Sequence, residues 1–238
     1  MDPDRKIAVI VGTLFIIATA APIASFPFLQ HLHAPAYLSA ISANATQVTT
    51  GALLELTMAL AIVGIAIMLH PVLKRFSETL ALGYVAARLV EGVIFVVVGV
   101  VALLSLLTVA REFAEAGSPD ISFFRTVGAT LVAAHDWAYA LGGRIVFSLS
   151  ALILNYALFQ SRLIPRFISG WGLIGSLLLL AGGLFDMFGV FSRSSALQVV
   201  SFLPIALQEM VFAVWLIVKG FNPSAIVSLT TGIETDRR

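Results

Sequence analysis

Six long apolar runs, separated by short polar clusters, set the pattern of the chain: 7–28, 51–69, 79–108, 141–159, 167–190 and 198–218. A helix crosses a hydrocarbon core of about 30 Å with about 17–25 predominantly apolar residues. The pattern therefore predicts an all-α integral membrane protein, a six-transmembrane-helix bundle forming one domain over residues 1–220, followed by a polar, mobile C-terminal tail at 221–238. Pro22 and Pro27, late in the first run, predict a kink or an early stop there. The less hydrophobic stretch 29–50, with His31, His33, Asn44 and Gln47, predicts a loop or interfacial segment. The mixed stretch 109–139, with Arg111, Glu112, Glu115, Asp120, Arg125, His135 and Asp136, predicts an external loop carrying an amphipathic helix at 122–139. The first run follows a basic edge, as a signal peptide does, but it is longer than the roughly 7–15 residues of such an apolar region. Taken as a span, it brings the total to an even number.

Composition agrees with the membrane reading. Of 238 residues, 59% are hydrophobic and 11% charged, against roughly 25% charged in a soluble domain. A net charge of +1, from 14 basic and 13 acidic residues, gives no basis for a nucleic-acid partner. Cysteine is absent, which removes disulfides, thiolate ligands and cysteine nucleophiles. Chemistry is left to carboxylates, histidines, hydroxyls and arginines. The four histidines lack the i, i+4 spacing of a zinc helix or the pattern of paired haem ligands, so no metal or other cofactor is expected. No nucleophile elbow or phosphate-binding glycine loop occurs. Gly142-Gly143 and Gly182-Gly183 suit close helix contacts.

Six spans place both termini on one side. Arg5, Lys6, Lys74, Arg75, Arg162, Arg166, Lys219, Arg237 and Arg238 fall on that side, against Arg111, Arg125 and Arg193 on the other. Basic residues gather in cytoplasmic loops, so both termini are predicted to be cytoplasmic, in the plasma or inner membrane of a cell.

The third run carries the candidate chemistry. A charge at the centre of a spanning helix costs about 2.5–3.5 kcal/mol on insertion scales, yet this run holds Arg88 and Glu91. Three positions apart, the two share a helical face, which Tyr84 and Phe95 continue. Glu55, Asp186 and Glu209 also lie in apolar runs, and at a rise of about 1.5 Å per residue Glu91 and Glu209 fall near mid-membrane. Asp186 looks like a span end. Only Arg88 stands at comparable depth to balance the acids, so some are protonated or a further cation completes the set. Pro204, five residues before Glu209, leaves the carbonyl of Val200 without its helical donor. These features predict a site between the second, third and sixth spans in which Glu91 and Glu209 approach across Arg88, reached from the outer half through Glu55. The candidate ligand-binding residues are Glu55, Arg88, Glu91, Gln208 and Glu209, and the ligand is a small molecule, a cation or a proton, bound or transported. Three alternatives stay open: a salt bridge that only lets the helix insert, a membrane-embedded enzyme acting on lipid through a carboxylate base, and a non-catalytic assembly partner of another membrane protein. The likeness of 89–94 to 207–212 would fit an inverted three-plus-three repeat.

At Ser161-Arg162-Leu163-Ile164-Pro165-Arg166 and Trp171-Gly172-Leu173-Ile174-Gly175 the chain shows recognisable motifs. With Arg88-Leu89-Val90-Glu91 and the closing Leu203-Pro204, Glu209 and Leu216 to Gly220, it resembles the bacterial and archaeal domain-of-unknown-function 4386 family over nearly its whole length. The resemblance implies a multi-span membrane fold and brings with it no activity and no catalytic residues.

Overall fold

The computed structural model describes residues 2–116, 121–190 and 196–236; Arg193, Arg237 and Arg238, used above to orient the chain, lie outside the described residues. Every regular element among the described residues is a helix: α1 (Pro3–Leu29), a 3-10 turn (Gln30–His33), α2 (Tyr37–Ala43), α3 (Ala45–Leu73), α4 (Glu78–Val93), α5 (Val101–Glu115), α6 (Ile121–Ala140), α7 (Phe147–Ser161), α8 (Arg166–Met187), α9 (Ala196–Val218) and α10 (Pro223–Asp236). A π-helical segment, Ile94–Val100, fuses α4 to α5, and another, Leu141–Val146, fuses α6 to α7. Six rods long and apolar enough to span a membrane result, giving a multi-pass architecture.

Three stretches outside the expected spans hold more helix than expected, although the helix expected at 122–139 is present as α6. The interfacial stretch 29–50 folds into the 3-10 turn, α2 and the first turns of α3. Most of 109–139 is not a loop: α5 runs on to Glu115, and α6 enters the bundle, so the fourth rod extends over Ile121–Ser161. The tail at 221–238 contains α10, and Phe221 and Ala225 pack into the core. Prolines do not end the rods either, since Pro22, Pro27, Pro71 and Pro204 all lie inside helices. Threonine hydroxyls along the apolar helices donate to the carbonyl four residues back, as Thr13 does to Val9 and Thr57 to Leu53, so these polar groups do not meet lipid unpaired.

Each rod packs on the next, and the last packs on the first, so the six form a closed ring. One end of the ring is fixed by polar clamps around the chain ends. Arg75 makes a two-pronged ion pair with Asp4 at 2.8 and 2.9 Å, while Arg5 donates to the carbonyls of Leu216 and Ile217, two of the groups the α9 helix leaves unpaired at its C-terminus. We call this the terminal end. Just inside it, a core cluster from all six rods, including Val11, Phe15, Leu69, Tyr84, Leu158, Ile168, Phe212 and Leu216, fills the ring. A second core, around Ile41, Val48, Leu103 and Leu106, joins α2 and α3 to α5 at the far end.

Candidate ligand site

Along α4, Ala81 and Tyr84 belong to the terminal core, and the next turn brings Arg88 and Glu91 to its upper surface. Both are almost fully buried, each 2% exposed. The Arg88 Nη1 donates to the two Glu91 carboxylate oxygens at 3.3 and 3.1 Å, and Nε donates to the Tyr84 hydroxyl at 3.2 Å. Its other terminal nitrogen, Nη2, stands 3.6 Å from Oε1 of Glu209 on α9 and makes no hydrogen bond. The guanidinium also lies over the Phe147 ring, 5.0 Å from its centroid, an arrangement in which the ring's negative face attracts the cation. One arginine thus stands between two carboxylates from different rods.

This cluster forms the floor of a cavity of about 510 Å³. Phe15, Phe95, Phe147, Phe202, Met58 and Ile62 make most of the wall, so apart from the floor it is largely apolar. Ile23 and Phe26 of α1 and Phe202 of α9 line it and yet are 68%, 76% and 48% exposed. The mouth therefore borders the apolar outer surface that such a bundle turns to lipid.

Two of the predicted residues lie elsewhere. Gln208 is buried beside Glu209 but turns to α7, donating to Oδ1 of Asn155 at 3.2 Å. Neighbouring helical positions project about 100° apart, which is enough to take Gln208 out of the cluster. Glu55, on α3, faces α6: both its carboxylate oxygens lie 3.1 Å from Nε2 of His135. The Tyr139 hydroxyl approaches the same carboxylate. Glu55 and His135 line a second cavity of about 710 Å³ toward the far end, along with Asp136, Arg144 and Asp186. Pro22, Phe26, Tyr139 and Arg144 line both cavities, so the two adjoin. Asp186, next to last in α8, lies at a span end as expected, and there Arg144 holds it at 2.9 Å. Among the described residues, no group of three potential metal ligands occurs.

His135 is the residue the sequence reading missed. A signal existed, because Gly128, His135, Ala138 and Gly142 are all buried and recur at intervals of seven, three and four, the period of one helix face. The two π-helical segments meet at this place, where Gly142 lies against Ile94 and Phe95 and the rings of Phe95 and Tyr139 touch edge to face at 5.2 Å. Wide π turns recur at functional sites because the extra residue redirects side chains.

The model of one family, a domain of unknown function (DUF4386), matches residues 10–220 of the chain. The chain belongs to the DUF4386 family. All five candidate residues, and His135, fall within the DUF4386 stretch, whereas Arg5 and α10 flank it. No curated protein and no solved structure matches the chain.

Proposed function

We propose that this DUF4386 protein binds, and carries within the membrane, an apolar small molecule with a positively charged head. The observation behind this reading is the charge count at the cavity floor: Arg88 is shared by Glu91 and Glu209, so one carboxylate is in excess there, while Arg144, the other cation on the wall, is engaged by Asp186. An unbalanced charge in a low-dielectric site is costly, and a bound cation or a proton removes the imbalance. The apolar wall favours a cation with a hydrophobic body, and the exposed lip at Ile23, Phe26 and Phe202 offers entry from the bilayer. The terminal core closes the ring beneath the cluster, so access is from the far half, alongside the Glu55–His135 pair. The basic residues at the terminal end support cytoplasmic termini in a plasma or inner membrane, which makes the cavity outward-facing.

Three ligands of one shape and different charge test this: 4-phenylbutylamine, 4-phenylbutanol and 4-phenylbutyrate, with binding to the detergent-purified protein followed by thermal stabilisation. The amine is expected to raise the midpoint saturably, and the alcohol and the acid are not. Glu209→Gln leaves Arg88 balanced by Glu91 alone, and losing a charged partner worth about 1.5–3 kcal/mol should weaken amine binding by roughly 10–100-fold. Equal response to all three compounds, or a response to the acid alone, would reject a cation site.

A further inference from the structure

A third cavity, of about 610 Å³, lies at the terminal end where the turn between α7 and α8 meets the turn between α9 and α10. Arg162, Arg166 and Lys219 line it, together with Trp215 and Asn222, and among the described residues no acid does. Among the described residues, none of these three cations forms an ion pair. Arg166 is held by its side chain, and Arg162 by the backbone of its turn. The Arg166 guanidinium stacks over the Phe159 ring at 5.1 Å and donates to the Phe159 carbonyl at 3.4 Å. Arg162 ends α7 in the left-handed conformation, with φ 54° and ψ 26°, and its turn is clamped by Asn222, whose backbone amide donates to the Leu163 carbonyl at 2.8 Å.

That conformation costs a non-glycine residue about 1–2 kcal/mol, and glycine is the usual residue at a left-handed helix end. A mere chain reversal would be better served by glycine. Arginine at this position gives up stability and gains a guanidinium on the cavity wall, beside two further unpaired cations. Next to the cleft, Phe167 at 65% and Val218 at 62% expose apolar surface, and Trp215 is of the residue type that gathers at membrane interfaces. Cations above and hydrocarbon surface below suit an amphiphile whose head is a phosphate oxyanion, since basic pockets between spanning helices hold such heads by charge-assisted hydrogen bonds.

We propose that this cleft is a binding site for the phosphodiester head of an anionic phospholipid, contacted by Arg162, Arg166 and Lys219. It is separate from the amine-binding reading above and does not depend on it. The full chain in detergent, incubated with dioleoylphosphatidylglycerol or dioleoylphosphatidylcholine, is examined by native mass spectrometry for retained lipid. The phosphatidylglycerol adduct is expected to predominate, and to fall at least tenfold in Arg162→Gln/Arg166→Gln/Lys219→Gln. Arg162→Gly separates binding from folding: in lipid-free detergent its thermal midpoint should equal or exceed that of the wild type, while its phosphatidylglycerol retention falls several-fold. Equal retention of the two lipids, or undiminished retention by the variants, overturns the proposal. So does an Arg162→Gly protein of lower midpoint, which would make the arginine a structural element of the turn. Displacement of phosphatidylglycerol by equimolar glycerol 3-phosphate would assign the cleft to a soluble phosphate compound and likewise overturn the lipid assignment.

Discussion

Arg88 carries one positive charge and has a carboxylate on either side, at 3.1 Å in Glu91 and 3.6 Å in Glu209. Removing one partner of a buried ion pair costs about 3–5 kcal/mol, because the other charge stays behind uncompensated. Arg88→Met and Glu91→Gln should each lower the thermal midpoint in detergent, and the double variant should lose less than the sum; strict additivity would show that the two do not interact. Glu55 and His135 form the other buried pair, with side chains 3% and 9% exposed. His135→Leu strands the Glu55 carboxylate and should destabilise by about 3 kcal/mol, while adding Glu55→Gln should recover part of that loss in a melting experiment. The first pair was legible in the sequence because both members stand on one helix face in a run too apolar to hold either charge alone. Glu209 was legible from its depth. The partner of Glu55 was not, since a charge pattern such as Arg111, Glu112, Glu115, Asp120 and Arg125 resembles a loop, and His135 seemed to belong to it. Asn155, the partner of Gln208, sits in an apolar run with only Arg144, Ser148, Ser150 and Tyr156 as other polar residues, and only packing reveals which neighbour it faces.

Among the elements, the joint between α1 and α9 closes the ring. A Cβ on Gly12 would come within 2.6 Å of the Ala213 carbonyl oxygen and 2.7 Å of the Ile217 side chain. Backbone cannot yield as a side chain can, so Gly12→Ala should separate the first and last rods and cost about 1–3 kcal/mol of overpacking. A Cβ on Gly64, by contrast, would meet only the tip of Leu14, at 3.2 Å. Gly64→Ala should therefore melt within a few degrees of wild type; an equal loss in both variants would show that the α1–α9 joint has no special closeness. Such joints leave little trace in a hydrophobicity pattern, because glycine in an apolar run has the same appearance whether a helix or lipid lies beside it. The six rods themselves were legible, since each run is long enough to span, but their ends were not. Helices extend past an apolar run wherever solvated charges continue the helical geometry, as α5 does to Glu115. Pro22 and Pro27 do not bring the early stop that was one of the two outcomes expected in α1, because a rod held by neighbours on both sides of a ring tolerates a missing backbone donor.

For the molecule as a whole, a ring plugged at one end and hollow toward the other has a direction, and what it can do depends on how it sits in the bilayer. Arg5, Lys6, Lys74, Arg75, Arg162, Arg166 and Lys219 mark the terminal end, against Arg111 and Arg125 at the other. The asymmetry runs along the same axis as the cavity, so one labelling experiment fixes both. Absence of cysteine makes the native chain its own blank. Ser39 on α2 is exposed at the far end, and Ser228 on α10 is exposed at the terminal end. In intact cells an impermeant maleimide should label Ser39→Cys and leave Ser228→Cys untouched until the membrane is opened. The reverse pattern would turn the hollow half toward the cytoplasm. An amine taken from the bilayer would then be loaded from inside, and the cleft at Arg162, Arg166 and Lys219 would meet the outer leaflet. Labelling of both positions in sealed cells would place the two ends on one side, which an even number of spans allows for the termini but not for Ser39 and Ser228, separated by five crossings.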